Sequence, residues 1–354
     1  MTPCTNAAEL PEEAYAVALA SLPNIGPATL RGWLHDDIPS EVWRREGTGL
    51  ETEVLRRWEL HSRLGISILL PVHPDYPARL SAGADPTPVL FCLGDPVALA
   101  GGVPTVAIVG TRTPTRYGLG VAAQLGTELS AAGVSVVSGL ALGIDGAAHE
   151  GACAAAGAPP IGVVAGGLDR PYPGQHTRLW QRVSERGAVV SESPAGVRTE
   201  KWRFPVRNRL MAALSDVVVV VESRHDGGAQ YTVEAALARG VTVGAVPGSI
   251  RSAASEGTNA LLGVGAVPVC STADVLISLS LRGKSVPVAP ESGLSEPADL
   301  GEDQAVYDVL SQDPTSLDDL LHRTRLRLAD LCSGLERLAR AGVARDLGGW
   351  WVRT

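Results

Sequence analysis

A stretch rich in positive charge, "RTEKWRFPVRNR", runs from Arg198 to Arg209. Its twelve residues contain five cationic side chains, one carboxylate and two aromatic rings, although the whole chain has a formal net charge of −8. Arginine and lysine can neutralise phosphates, and aromatic rings between them can stack on bases. This combination predicts a groove that follows an extended, phosphate-bearing ligand.

The same residues also have a purely structural interpretation. In that interpretation Trp202 and Phe204 belong to the core, and the arginines pair with acidic side chains. Phenylalanine is rare in this chain, with two in 354 residues, and a ring beside Pro205 is readily a packing residue. For any one residue alone the structural interpretation is the simpler one, whereas five cations in twelve residues favour a binding surface.

The elements that must position this stretch are short apolar runs, most of them separated by helical segments. Such continuous apolar strands predict a parallel sheet that is covered by helices on both faces. We therefore expect an α/β, Rossmann-like, doubly wound domain over residues 86–283. Its predicted strands are "TVAIVG", "VSVVSG", "PIGVVAGG", "AVVSES", "DVVVVVES" and "VTVGAVPG".

Small residues follow several of these strands, at the edge where ligands bind in open parallel sheets. The segments concerned include "GTRTPTRYG", "SGLALGIDGAAHEG", "AGGLDRPYPG" and "ESRHDGGAQYT". Glycine allows close backbone approach, and N–H groups at helix starts attract phosphate. Arg112 and Arg116 add charge at the same edge. No G-x-G-x-x-G follows the first strand and the chain has no Walker A motif, so we predict an extended anion rather than a nucleotide cofactor.

Two smaller regions flank this domain. Residues 1–85 are expected to be mostly helical, and "NIGPATLRGWL" resembles part of a helix-hairpin-helix or SAM-like module, with Asn24 where that motif prefers glycine. This hairpin could be structural packing or a nucleic-acid contact. A flexible linker is predicted at 284–300, and 301–354 has the outline of a winged helix that could dock a partner or read DNA.

Composition excludes several other classes. No apolar run reaches the ~18 residues that a membrane-spanning helix needs, and the N-terminus lacks the pattern of a signal peptide, so we expect a cytoplasmic protein. The five cysteines are scattered without a C-x-x-C pair, and the seven histidines lack metal-ligand spacing. We therefore expect no disulfide framework, no metal site and no cofactor.

With these residues in view, the chain resembles the DNA-processing protein A family (DprA, also called Smf). Seven motifs carry the resemblance in order: "AIVGTRTPTRYG", "VVSGLALGIDGAAHEGA", "LDRPYPGQHTRLW", "SESPAG", "FPVRNRLMAALSD", "VVVVES" and "AVPGSIRSAASEGTNALLGVGA". The resemblance implies a non-catalytic protein of natural transformation and DNA recombination. Such a protein binds and protects single-stranded DNA, loads the RecA recombinase and forms a homodimer through its Rossmann-like domain.

The resemblance also implies site residues. It places DNA contacts at Arg112, Lys201, Phe204, Arg207 and Arg209, and it gives Asn208 the role of holding a loop in shape. Together with the residues at the strand ends, the predicted DNA-binding set is Gly110, Thr111, Arg112, Arg116, Ser138, Gly139, Lys201, Arg203, Phe204, Arg207, Asn208, Arg209, Gly227 and Gly228.

The sequence departs from the family pattern in two places. The loop after the fifth strand, Gly227 to Thr232, reads "GGAQYT" where the family has a Ser-Gly-Ser-like sequence, so one hydroxyl is lost. His176 stands where the family usually has asparagine. Both departures concern local phosphate contacts.

Two other functional hypotheses remain. "GGAQYTVE" is similar to the "PGGxGTxxE" motif of nucleoside-monophosphate phosphoribohydrolases, with Glu234 as the candidate acid but with one extra residue in the spacing. Asp145 and His149, four residues apart on a predicted helix, could form an acid/base pair or could be structural. The third hypothesis is a regulatory or scaffold protein that acts through its C-terminal domain.

Overall fold

The computed structural model describes residues 10–285 and 300–353, except residues 48, 84, 312 and 347 and the side chain of Glu302. The chain divides into two compact units, residues 1–288 and 289–354. The predicted linker at 284–300 lies almost wholly outside the described residues. No helix in the described part of the chain is long and apolar enough to cross a membrane.

A nine-stranded sheet forms the centre of the first unit. Its strands lie in the order β1-β2-β6-β5-β4-β3-β7-β8-β9; β3 to β9 are parallel, and β1 and β2 add an antiparallel edge. The prediction of an α/β fold with a large parallel sheet is confirmed. The strands are β1 (Ile66–Leu69), β2 (Leu90–Gly94), β3 (Thr105–Val109), β4 (Ser135–Ser138), β5 (Ile161–Val163), β6 (Ala188–Ser191), β7 (Val217–Val220), β8 (Thr242–Ala245) and β9 (Val267–Pro268).

Helices cover both faces of this sheet, as the continuous apolar strands predict. In β7, Val217 and Val219 pack with α5, α6 and α11, whereas Val218 and Val220 pack with α8 and α9 on the other face. These helices and their neighbours are α5 (Arg116–Ala131), α6 (Ile144–Ala154), α7 (Thr177–Arg186), α8 (Arg203–Ala213), α9 (Gln230–Ala238), α10 (Glu256–Gly263) and α11 (Thr272–Leu281).

Four N-terminal helices pack on the antiparallel end of the sheet. Buried Val17 and Trp43 from these helices share one apolar cluster with Phe91 of β2. The prediction that residues 1–85 are mostly helical did not include β1, which pairs with β2, so position 85 falls between two strands of one sheet. Four residues are too few for periodicity to identify a strand, and pairing with β2 defines it. The helices are α1 (Glu12–Ala20), α2 (Pro27–Trp33), α3 (Pro39–Glu46) and α4 (Glu51–Arg63).

The turn between α1 and α2 contains Asn24 in a left-handed conformation, with φ of 65°. Asparagine enters this region more readily than most residues other than glycine. Asn24 therefore supplies the backbone conformation for which a hairpin of this kind usually uses glycine.

The described residues of the second unit form three α-helices and a small antiparallel sheet in the order β10-β12-β11. The predicted run of three helices followed by a hairpin is present, and the strand β10 is an addition. Ser316 caps α13 by accepting a hydrogen bond from the Asp319 N–H at 3.1 Å, as the capping pattern predicts. The elements are α12 (Gln304–Val309), β10 (Thr315–Ser316), α13 (Leu317–Thr324), α14 (Leu328–Arg340), β11 (Ala344–Asp346) and β12 (Trp350–Arg353).

Candidate nucleic-acid interface

The main crevice of the first unit lies where the strand order reverses, with β4 on one side of β3 and β7 on the other. Ligands of open α/β sheets bind at such a point, outside the carboxyl ends of the strands. A cleft of about 450 Å³ occupies it. Its walls come from the loop after β3, the loop after β7 and the first turns of α8, and they include Gly110, Thr111, Arg112, Phe204, Gly227 and Gly228.

The loop after β3 is held by the end of β7. The Thr111 N–H donates to the main-chain oxygen of Glu222 at 2.7 Å, and the Thr115 N–H donates to its buried carboxylate at 2.8 Å. A side chain at Gly110 would place Cβ only 2.7 Å from that same main-chain oxygen, so the close approach requires glycine. The loop leaves Arg112 exposed at the mouth of the cleft.

Arg112 and Phe204 meet at this mouth. The Arg112 guanidinium carbon lies 4.5 Å from the centroid of the Phe204 ring, within the range of a cation–π contact. The ring of Tyr172, from the segment after β5, lies 6.0 Å from the Phe204 ring, centroid to centroid. The predicted cation and the predicted stacking ring are therefore brought together, and Tyr172 joins them although sequence reasoning missed it. The only signal was an aromatic residue in a strand-end loop.

The side chain of Arg207 is buried, whereas the prediction placed it against a phosphate. The residue is only 5% exposed, and its guanidinium donates to the main-chain oxygens of Gly139, at 2.8 Å, and of Val163. Burial lowers the pKa of Arg207 to about 10, against the opposing effect of Asp145, so the side chain stays charged at neutral pH. Arg207 therefore joins the ends of β4 and β5 and also lines the cleft, and its predicted phosphate contact stays a prediction.

Arg207 leaves no room for a side chain at Gly139. A Cβ at Gly139 would lie 2.1 Å from the Arg207 guanidinium, and the Gly139 N–H donates to the Asp145 carboxylate at 3.1 Å. The neighbouring Ser138 is fully buried, and its hydroxyl donates to the main-chain oxygen of Ile108 at 2.6 Å. The polar groups of both residues therefore make hydrogen bonds inside the sheet edge, and their predicted DNA contacts stay predictions.

Arg209 is also committed to protein partners. Its guanidinium forms an ion pair with the largely buried carboxylate of Glu192 and donates to the main-chain oxygen of Asp85 at 3.0 Å. Burial raises the pKa of Glu192, and Arg209 opposes that shift. This pairing fits the structural interpretation of the basic stretch, and the phosphate contact predicted for Arg209 stays a prediction.

The loop after β7 is held by α8. The Asn208 amide donates to the main-chain oxygen of Gly228 at 3.3 Å, a contact that suits the predicted role of Asn208 in holding a loop. A Cβ at Gly227 would lie 2.5 Å from the Ser223 hydroxyl, whereas the position above Gly228 is open.

The remaining predicted cations differ in exposure. Lys201 and Arg116 are exposed, at the turn before α8 and at the first position of α5. Arg203 is half-buried: it lies over the half-exposed Trp202 ring, 4.3 Å from its centroid, and donates to the Ser193 hydroxyl at 3.0 Å. Thus Lys201, Arg116 and Arg112 present charge to solvent, whereas Arg203 mainly supports the turn.

Comparison with known proteins identifies the family. The sequence profile of the family described as DNA recombination-mediator protein A matches residues 67–280. The chain belongs to this family. It is 36% identical over 320 residues to a putative DNA processing protein DprA of Mycobacterium tuberculosis, covering 86% of this chain and 82% of that protein. It is 38% identical over 247 residues to DprA of Bacillus subtilis, covering 70% and 82%.

Solved structures of the DprA family share the fold. The X-ray structure of DprA from Streptococcus pneumoniae superposes with a TM-score of 0.62 at 29% identity, covering 76% of this chain and 98% of that one. A structure of DprA from Helicobacter pylori, described in terms of its single-stranded DNA binding mode, superposes with a TM-score of 0.56 at 30% identity, covering 63% and 99%.

At both places where the sequence departs from the DprA family pattern, the structure shows what the substituted loop provides. His176 Nδ1 lies 3.0 Å from the main-chain oxygen of Leu140, and its ring packs so closely on α6 that a Cβ at Gly146 would lie 2.4 Å from it. In the other departing loop, the buried hydroxyl of Thr232 lines the cleft and has no hydrogen-bond partner in the described part of the chain. The cleft therefore retains one hydroxyl that sequence reasoning had not counted.

The candidate acid/base pair is not assembled in this structure. Asp145 accepts from the Gly139 N–H, and His149 Nε2 lies 3.2 Å from the main-chain oxygen of Ile161. Full burial lowers the pKa of His149 to about 4, so the ring is neutral at pH 7. These separate partners fit the simpler interpretation, in which both side chains are structural. Among the described residues, no group of three or more His, Cys, Asp or Glu side chains could hold a metal ion.

Proposed function

We propose that this protein binds single-stranded DNA along the carboxyl edge of its parallel sheet. The observation that carries the proposal is the open cleft of about 450 Å³ at the point of strand reversal, with Arg112 held on the Phe204 ring at its mouth. A cation fixed against an aromatic ring offers a phosphate contact beside a stacking surface, which suits an unpaired nucleotide. The described DNA binding of the H. pylori relative agrees with this proposal.

Each side chain has a separate task in this proposal. Arg112, Arg116 and Lys201 contact phosphates, since they are the predicted cations that reach solvent. Main-chain N–H groups around Gly110 and Gly228 add hydrogen bonds where the backbone can approach the ligand. Thr111 and Gly227 line the cleft, but their N–H groups already donate to the main-chain oxygens of Glu222 and Arg224. Arg207, Arg209 and Asn208 hold the strand ends and the loop in place. Binding is nearly independent of sequence, because ring stacking and phosphate contacts do not read base edges.

The family resemblance extends the proposal beyond DNA binding. We infer that the protein protects incoming single strands in the cytoplasm and loads RecA onto them during transformation and recombination, as a homodimer through the Rossmann-like domain. The helices before β1 serve as a helix-hairpin-helix or SAM-like domain, residues 284–300 as a linker and 301–354 as a winged helix. The three helices and three-stranded sheet of the second unit support the last assignment.

A salt series with purified protein tests the DNA proposal. Fluorescence anisotropy with labelled single- and double-stranded oligonucleotides of equal length should show preference for the single strand. The logarithm of affinity should fall with the logarithm of salt by roughly 0.7 per phosphate contacted. Equal affinity for duplex at moderate salt would contradict the proposal.

We also propose that the protein acts without a catalytic step. The candidate groups support this: Asp145 and His149 are hydrogen-bonded to separate main-chain groups. Incubation with nucleoside monophosphates, followed by chromatography, should detect no free base. Enzyme-dependent release of base would favour the phosphoribohydrolase hypothesis instead.

A further inference from the structure

Tyr172 is an exposed aromatic residue that no binding role so far includes. It is 52% exposed, although its ring contacts Phe204 with the two ring planes tilted by 45°. Leu142, on the loop after β4, is also exposed. Single exposed apolar residues are ordinary, but these two line one small hollow together with Phe204. The hollow has a volume of about 50 Å³.

This hollow shares wall residues with the main cleft. Phe204 and Arg112 line both, and Pro173 completes the wall beside Tyr172. Among the residues that line the hollow, Arg112 is the one charged residue, and none carries a carboxylate. A flat, neutral group attached to a phosphate matches this combination of apolar walls and one cation at the rim.

Phe204 alone has limited ring surface for such a group. The Arg112 guanidinium lies over its ring, and Tyr172 packs against the same ring at a tilt. The half-exposed Tyr172 therefore presents aromatic surface that Phe204 does not. Tyrosine also suits this position because its ring stacks while its hydroxyl stays hydrated.

We propose that Tyr172, with Leu142 and Phe204 as its walls, forms a subsite that stacks one unpaired nucleobase of the bound strand. The proposal rests on the proposed single-strand binding and adds a base contact to it. Arg112 joins the two sites, because it would hold a phosphate at the rim while the adjoining base enters the hollow.

The full-length protein can be tested with two labelled ligands of equal length. One is oligo-dT, and the other is an abasic oligomer with the same number of phosphates. We expect Tyr172→Ala to weaken oligo-dT binding by roughly 10- to 100-fold, the loss typical of one stacked base, and to leave abasic binding unchanged. Tyr172→Phe keeps the ring and should bind oligo-dT within about twofold of the parent. The salt slope should not change, because stacking releases no counterions.

Two results would overturn the subsite. Equal losses on oligo-dT and on the abasic oligomer would show that Tyr172 supports the backbone site. Unchanged oligo-dT binding by Tyr172→Ala would show that no base stacks there. Both are distinguishable from failure of the proposed function, in which the parent itself does not bind oligo-dT. A thermal melt of each variant verifies folding, and a half-exposed ring should change the melting temperature little.

Discussion

The two ends of the basic stretch have the same residue types and opposite surroundings. Before α8, Arg198 and Lys201 are exposed to solvent. One to two turns into α8, Arg207 and Arg209 are withdrawn from solvent, bonded to main-chain oxygens and, for Arg209, paired with Glu192. The difference teaches that a cluster of cations in one short stretch can be partly exposed surface and partly internal support for the fold.

The start of α8 explains why the cations of the stretch change from exposed to largely buried at this point. The exposed cations lie in the turn before α8, while Arg207 lies on the face of α8 that packs against the strand ends. Arginine suits such a position because its planar group can bond several carbonyls at once and keeps its charge. Charge at this edge is therefore exposed to solvent before α8 and largely buried within it.

The largest expected effect comes from removing the internal arginine. Arg207→Ala should lower the free energy of unfolding by about 3–5 kcal/mol, because it leaves buried carbonyls and the Asp145 carboxylate without their cation. Chemical denaturation measures this loss. The matched control is Arg198→Ala, an exposed arginine of the same stretch, which should change stability by no more than about 0.5 kcal/mol. A stable Arg207→Ala protein with weakened DNA binding would instead place Arg207 at the ligand.

The second prediction is that the stability of the protein depends on pH, because His149 is buried in its neutral form. His149 has a folded pKa of about 4, below the ordinary 6.5, so the unfolded chain binds more protons between these values. Stability should therefore fall as the pH falls from about 6.5 toward 4, by about 3 kcal/mol from this residue. Burial also lowers the pKa of His61, which adds a loss of the same sign.

Denaturation at several pH values measures this dependence. His149→Asn cannot titrate and should show a smaller slope of stability against pH, whatever its absolute stability. An unchanged slope in this variant would mean that other groups carry the pH dependence.

A smaller effect is expected from removing the exposed cations, which should change DNA binding but not stability. Arg112→Ala and Lys201→Ala should each weaken single-strand binding and reduce the salt slope by about 0.7, the value for one phosphate on a single strand. Their melting temperatures should stay near that of the parent, since both side chains are exposed. Salt-dependent anisotropy measures the slopes. A parent-like slope in both variants would show that the turn before α8 and the loop after β3 are solvated surfaces only.

The smallest expected effect is that of removing the second unit. Truncation after residue 285 should leave single-strand binding within a few-fold, because every proposed contact lies in the first unit. Anisotropy on the folded truncation measures this change. A loss of two orders of magnitude would place a principal DNA contact in the second unit.

Several features of the fold could be predicted from local sequence patterns. Runs such as "DVVVVV" are apolar on both faces, and burial of both faces requires helices above and below a parallel sheet. Glycine-rich strand ends and the nearby cations then pointed to the sheet edge where the main cleft lies. β1 was missed, because a strand of four residues acquires its identity from pairing with β2.

The sequence by itself determined the parallel sheet, its glycine-rich carboxyl edge and the presence of cations there, because these follow from periodicity and residue type along the chain. Only the tertiary structure decided which cations face solvent, since Arg207 meets Gly139 across 68 positions and Arg209 meets Asp85 across 124. The pairing of Tyr172 with Phe204 is likewise a contact between distant segments. Such contacts depend on where strands and helices pack in space, which no local pattern specifies.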